Sequence, residues 1–440
     1  MSIVNHIGKS NMFFLFLLSF LLLTVSIIFF DSYMFTYLMM FTFTLAACNI
    51  GTFFSRMFAL FILIYLGIAL LDISSYRGEI YLITLKVYSV AVLFIFTTSF
   101  IMDIFLRKRN TDRVYLLPFN ERQKYLILGH LSIVYLALLY IYVSVGNVLF
   151  NQDLRFFIPT SLGYIIKSSI YIPLIYWAVR QVRKKADIFL YVFIPLAPAM
   201  LIGSRGTVIM IMIGMLIIQF LQSKEDMKGL AFEKVLFSKY LVFKSAGLGL
   251  FMIYTLYYIR RLSSSSNFLS PSEALNEYFY SDSWFGYFVM PLHLAFKETF
   301  GLTNRIISDD LSNLLTSIPL FFADLITILP GKQVGAGEAM GIVFGTVAAG
   351  GLTPGIVGGL YLDFGYFLCL IISFFIAVIK YVEFKAKQSE FWLVFFSLSF
   401  VQFLHLFHRG FLKPEYIFAF IIVLFYLRLN SGLLVKGGSK

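Results

Sequence analysis

Charge is scarce in this chain: 13% of its 440 residues are Asp, Glu, Lys or Arg, and the mean hydropathy is +0.86. A soluble domain carries about twice that charged fraction, so a water-soluble globular protein is excluded. Cysteine is scarcer still. Cys48 and Cys369 both fall inside apolar runs, which rules out a disulfide framework and a four-ligand metal site. His405 and His408 lie about one helical turn apart beside Arg409, but no third ligand accompanies them, so no metal is expected. No Walker, zincin, serine-hydrolase or dinucleotide motif stands in a fitting context, and no cofactor is expected. No internal repeat is visible either, which weakens a transporter built on inverted repeats. No small-residue cleavage site follows the first apolar run, so 11–30 reads as a first span and not as a removed signal peptide.

What is abundant is apolar sequence, 60% of the chain, arranged in runs that match the roughly 20 residues a helix needs to cross a bilayer. Candidate spans fall near 11–30, 33–53, 56–73, 82–105, 125–145, 160–179, 187–203, 206–222, 243–259, 355–379, 391–408 and 413–429. The expected fold is an all-α polytopic membrane protein with about 12 transmembrane helices. The formal net charge of +12 would suggest nucleic acid in a soluble protein. Here the basic residues crowd into the short loops 107–124, 180–185, 224–244 and 380–387, where they set topology. That face is then cytoplasmic, both termini lie inside, and nucleic acid is not a partner. The opposite turns, near 31, 72–79, 146–160, 203–206 and 409–414, are sparser in charge.

Three regions follow. Residues 1–259 hold the first nine spans, 260–354 form one large loop outside the cytoplasm, and 355–440 hold the last three spans and a cytoplasmic tail. Within the loop, Ser270-Pro271-Ser272-Glu273 has the form of a helix start, with a capping serine, proline at the first position and a capping-box carboxylate. The segments 284–294 and 311–329 are apolar but interrupted by Pro291, His293, Pro319 and Asp324, as expected of interfacial or re-entrant helices. The segment 331–359 has ten glycines in 29 residues, which suits either close helix packing or a backbone that approaches a ligand.

The informative charges are those that defy the loop trend, because an outward arginine beside a span is no topology signal. Arg205 lies in the short turn Gly203-Ser204-Arg205-Gly206, Arg409 in His408-Arg409-Gly410, and Arg260-Arg261 end the ninth span. A guanidinium grips phosphate bidentately, so arginines gathered at one membrane level make a site for a pyrophosphate whose lipid tail stays in the bilayer. The alternative for each is snorkelling to headgroups or pairing with a carboxylate. Acid and base candidates on the same side are Asp282, His293, Glu298, Asp324, Glu338, Asp363 and His408; any that takes an acceptor proton must lie within hydrogen-bond reach of it. Arg205, Arg409, His293 and Glu338 are expected to serve catalysis, and Arg260, Arg261, Arg305, Asp324 and His408 to bind substrate.

The chain resembles the Wzy-type O-antigen polymerases, the repeat-unit polymerases of bacterial surface polysaccharides. The resemblance rests on the number of spans, the Gly-Ser-Arg-Gly turn followed by an apolar helix, the large late loop, and the segment from Gly350-Gly351-Leu352-Thr353-Pro354 to Asp363-Phe364-Gly365. It implies a multispan, lipid-dependent (GT-C-like) glycosyltransferase of the bacterial inner membrane, acting without metal at the periplasmic face. The implied partners are an undecaprenyl-pyrophosphate-linked oligosaccharide donor, a lipid-linked acceptor, the bilayer itself and a chain-length regulator protein. A role in holding pyrophosphate or sugar carries onto Arg205, and onto Arg260 or Arg261. The related O-antigen ligase and a repeat-unit flippase remain the alternatives.

Overall fold

The computed structural model of the protein describes residues 2–71, 73–74, 77–106, 114–116, 119–148, 154, 157–179, 185–226, 284–309, 319–328, 335–343, 352–429 and 435–436. Helix dominates, as it must in a bilayer, where each backbone N–H and C=O needs a partner within the protein. In chain order the helices are α1 (Ser2–Phe29), α2 (Tyr33–Ile50), α3 (Phe53–Ala69), α4 (Leu82–Phe105), α5 (Glu121–Ser144) and α6 (Thr160–Ser168). Next come α7 (Ile172–Ala178), α8 (Lys185–Ile188), α9 (Ile194–Leu201), α10 (Arg205–Asp226) and α11 (Trp284–Ser308). The last are α12 (Leu320–Ala323), α13 (Ala336–Val343), α14 (Gly355–Phe364), α15 (Leu368–Ala386), α16 (Glu390–Arg409) and α17 (Pro414–Leu429). The strands β1 (Val114–Tyr115) and β2 (Val435–Lys436) pair antiparallel.

Among the described residues, six helical stretches are long and apolar enough to cross a membrane: Met12–Phe29, Tyr33–Ile50, Leu82–Phe105, Glu121–Ser144, Gly355–Ala386 and Glu390–Arg409. The chain is therefore an all-α membrane protein. Shorter apolar helices, Phe53–Ala69, Ala186–Leu201 and Gly206–Gln222, coincide with other expected spans. The expected span at 243–259, the helix start at Ser270 and the basic pair Arg260-Arg261 lie outside the described residues.

The region after Trp284 differs from its sequence reading. Where Pro291 and His293 suggested an interruption, α11 runs unbroken for 25 residues, with Pro291 inside it. The reason is its inner face. His293, Lys297, Thr299, Thr303 and Asn304 are all buried, so the polarity that lowers the hydropathy of this stretch points into protein. α11 packs against α3, α4 and α14.

The chain divides into two compact units that interleave in sequence. The first comprises residues 1–109, 272–381 and 403–414; the second comprises 110–271, 382–402 and 415–440. The first unit has an aromatic core in which Phe58 meets Phe96, Phe403 and Phe407 at ring-centroid distances of 6.2, 5.2 and 5.4 Å. It also buries Lys380 on α15, whose ammonium lies 2.5 Å from Asp103 on α4 and donates to Thr52. In the second unit, Asn120 and Gln123 close a reciprocal capping box at the start of α5, with bonds of 2.9 and 2.8 Å. Its apolar core includes Leu138, Ile141, Ile166 and Ile202. His130 bridges two hydroxyls there, Tyr426 at 2.6 Å and Ser168 at 2.5 Å.

Candidate functional site

A cleft of about 410 Å³ lies within the first unit, at the C-terminal end of α11. That falls within the range of small-molecule sites, roughly 300 to 1,000 Å³. Its floor is one stripe of α11. Gly301, Asn304, Arg305 and Ser308 recur three or four positions apart and so share a helix face. The connection from α3 to α4 supplies the wall, with Arg77, Glu79 and Tyr81.

Two contacts fix that wall. Arg77 has a left-handed backbone at φ 62°, an uncommon conformation for a side chain that carries a Cβ. It is held there by a two-pronged contact with Glu298 on α11, Nε to Oε2 at 2.8 Å and the terminal nitrogen to Oε1. The wall also lies directly on the helix, since a Cβ on Gly301 would come within 2.5 Å of the Arg77 Cβ. Asn304 supplies the second contact. Its Oδ1 accepts from the Tyr81 backbone N–H at 2.8 Å and the Thr84 hydroxyl at 2.7 Å, and its Nδ2 donates to the Glu79 carbonyl at 3.0 Å.

Tyr81 is the N-cap of α4 and makes no side-chain cap bond; Asn304, from a distant helix, accepts the N–H of that N-cap residue, as the N3 side chain of a capping box does. Asn304→Ala is expected to cost about 2–3 kcal/mol, because a buried donor is left unsatisfied and a helix start loses a capping bond. Denaturant titration of the purified protein in micelles measures this. A loss below about 0.5 kcal/mol, the range of a neutral surface change, would mean that the amide does not hold the wall.

The cleft carries balanced charge. Arg305 Nε lies 3.5 Å from Asp309 Oδ2, and Arg77 pairs with Glu298, so both guanidiniums are already compensated. Glu79 adds a further carboxylate to the lining, Ser308 a hydroxyl, and Tyr81, 56% exposed, an aromatic ring. Charge-assisted donors thus stand beside carboxylate acceptors, the combination that recognises hydroxyl groups.

Of the residues expected at a site, Arg305 lines this cleft. The other described candidates are not among its lining residues. His293 is fully buried: its Nδ1–H donates to the Ile68 carbonyl at 2.9 Å, and its Nε2 sits 2.7 Å from the Ser74 hydroxyl. Those bonds tie α11 to the end of α3. Asp324 accepts from the Ala336 N–H at 2.7 Å, capping α13, and Asp363 accepts from Leu320 and Phe321 at 2.9 and 2.6 Å, capping α12. Glu338 stands exposed on α13. His408 Nδ1 lies 3.4 Å from the Thr299 hydroxyl, and its ring meets Tyr65 and Phe296 edge-on. Arg409 is the last residue of α16 and belongs to the first unit, whereas Arg205 begins α10 in the second. Arg260, Arg261 and Asp282 lie outside the described residues.

The sequence reading missed Arg77, Glu79 and Asp309. Arg77 and Glu79 sit in a turn dismissed as poor in charge. A signal was present in the spacing of Gly301, Asn304, Arg305 and Ser308, because a stripe of glycine, amide, cation and hydroxyl on one helix face is not a lipid-facing pattern. No family model, curated protein or solved structure matches the chain.

Proposed function

We propose that this protein polymerises lipid-linked oligosaccharide repeat units, moving a growing glycan from an undecaprenyl-pyrophosphate donor onto the non-reducing end of another lipid-linked unit. The observation that carries the proposal is the polar cleft at the end of α11, a set of paired donors and acceptors in an otherwise apolar helical protein. Under the orientation implied by the loop charges, the turn carrying Arg77 and Glu79 faces away from the cytoplasm, where lipid-linked repeat units are joined. In the reaction the acceptor hydroxyl gives up its proton as its oxygen attacks the donor's anomeric carbon, and the bond from that carbon to the pyrophosphate breaks. An acid or histidine within hydrogen-bond reach of that hydroxyl takes the proton.

Arg205 is assigned to the leaving pyrophosphate. It occupies the first position of α10, where free backbone N–H groups and the positive end of the helix dipole already favour an anion. The turn before it is closed by the Gly203 N–H to Met200 O and the Ser204 N–H to Ala199 O, both 2.8 Å.

The test is the surface glycan of a strain lacking this gene. Lipid cores capped with a single repeat unit are the expected result. Long chains accumulating on the carrier lipid would replace the polymerase reading with a ligase, and a normal ladder would remove both.

A further inference from the structure

We infer that the α11 cleft is a subsite for an uncharged sugar ring and rejects the pyrophosphate end of the substrate; this deepens the polymerase reading and rests on it for the identity of the sugar. The argument starts from charge. The described lining holds two guanidiniums, Arg77 and Arg305, and two carboxylates, Glu79 and Asp309. Arg77 is further engaged by Glu298, and Arg305 by Asp309. A site for a multiply charged anion needs a surplus of positive charge, because desolvating the anion is costly unless cations repay it. Among the described lining residues there is no such surplus.

Hydroxyls are the complementary partner. Each sugar hydroxyl both donates and accepts, so it can take an N–H from an arginine and give its proton to the neighbouring carboxylate without disturbing the charge balance. The Arg305–Asp309 pair, with side chains 59% and 48% exposed, offers both functions four residues apart at the C-terminal end of α11. Tyr81 at the wall presents a ring, 56% exposed, against which the C–H face of a pyranose can lie. A volume of about 410 Å³ leaves room for a mono- or disaccharide but not for a long chain. The rigid part of the cleft is the buried Asn304 amide and the tight Gly301 contact, which keep the Arg77 wall in place before any ligand arrives.

Saturation-transfer NMR on the full-length protein in lipid nanodiscs tests this, with the uncharged oligosaccharide released by mild acid from the host's repeat unit as probe and inorganic pyrophosphate as competitor. The wild type is expected to transfer saturation to the sugar, and millimolar pyrophosphate is expected not to displace it. Arg305→Ala and Tyr81→Ala should each weaken binding about tenfold, the effect of losing roughly 1.4 kcal/mol. Both positions are exposed, and unchanged elution from size exclusion confirms folding. The double variant Glu79→Gln/Asp309→Asn should instead let pyrophosphate compete, because it frees guanidinium charge. Displacement of sugar by pyrophosphate in the wild type, no sugar signal at all, or full binding in both alanine variants would each overturn the inference. None of these outcomes depends on the glycan ladder of the deletion strain, so a failed subsite and a failed polymerase reading are told apart.

Discussion

Gly410→Ala is expected to leave almost no folded protein in the membrane. Gly410 follows the last residue of α16 with φ 89°, a left-handed conformation that costs an L-residue about 1–2 kcal/mol. The space is the larger obstacle. A Cβ there would sit 2.4, 2.7 and 2.9 Å from the O, C and N atoms of Gly355, at the start of α14. These are backbone atoms and cannot swing aside as a flexible side chain would. Gly359 faces the same contact from the other side, its Cβ position lying 2.5 Å from the Gly410 carbonyl oxygen. Overpacking of this kind adds about 1–3 kcal/mol or more, so the total is a large part of the 5–15 kcal/mol that holds a typical protein folded. Fluorescence-detected size exclusion of the tagged protein is the measurement, with Gly67→Ala as control. Gly67 lies in α3 with nothing within 4 Å of its Cβ position, and alanine there should be neutral or mildly stabilising. A monodisperse Gly410→Ala peak at wild-type height would show that the two backbones do not approach as described.

Under the proposed function, Arg205→Ala should abolish chain extension while leaving the protein as abundant as the wild type. A cation belongs at the C-terminal end of a helix; at the first position of α10 it opposes the dipole and costs about 0.3–1 kcal/mol. The helix dipole therefore does not explain an arginine here. Under the proposed function an anion explains it, since a pyrophosphate drawn to this helix start would favour a cation beside it. Losing one charge-assisted donor to a leaving group typically costs about 10²–10³ in rate. In an extract supplied with lipid-linked repeat units, Arg205→Ala should accordingly yield single units where the wild type yields a ladder. Arg205→Lys should fare little better, since an ammonium lacks the planar fork. A wild-type ladder from Arg205→Ala would take this residue out of the reaction.

Some of the molecule was readable along the chain because the relevant physics is local. Scarce charge and long apolar runs placed it in a bilayer, and the bilayer's lack of water dictated helices. Arg205 stands out because an arginine in so short a turn is unusual wherever the rest of the chain goes. Asp324 and Asp363 show where local reading stops. As carboxylates near a presumed site they looked like acid or base candidates, and their oxygens instead cap α13 and α12; a cap supplied from another segment leaves no spacing rule to find.

Glycine makes the same point. The run at 331–359 left packing and ligand approach equally open, and Gly355 and Gly359 turn out to meet Gly410, far beyond the run itself.

By itself the sequence determined the membrane class and the helical content and singled out Arg205, all from properties of neighbouring residues. Only the tertiary structure decided the polarity of α11, whose buried face imitates a loop in hydropathy, and the cleft at its end. That cleft depends on Arg77 meeting Glu298 across 221 positions of chain, and pairing over such a distance is set by how helices pack, which no local pattern encodes.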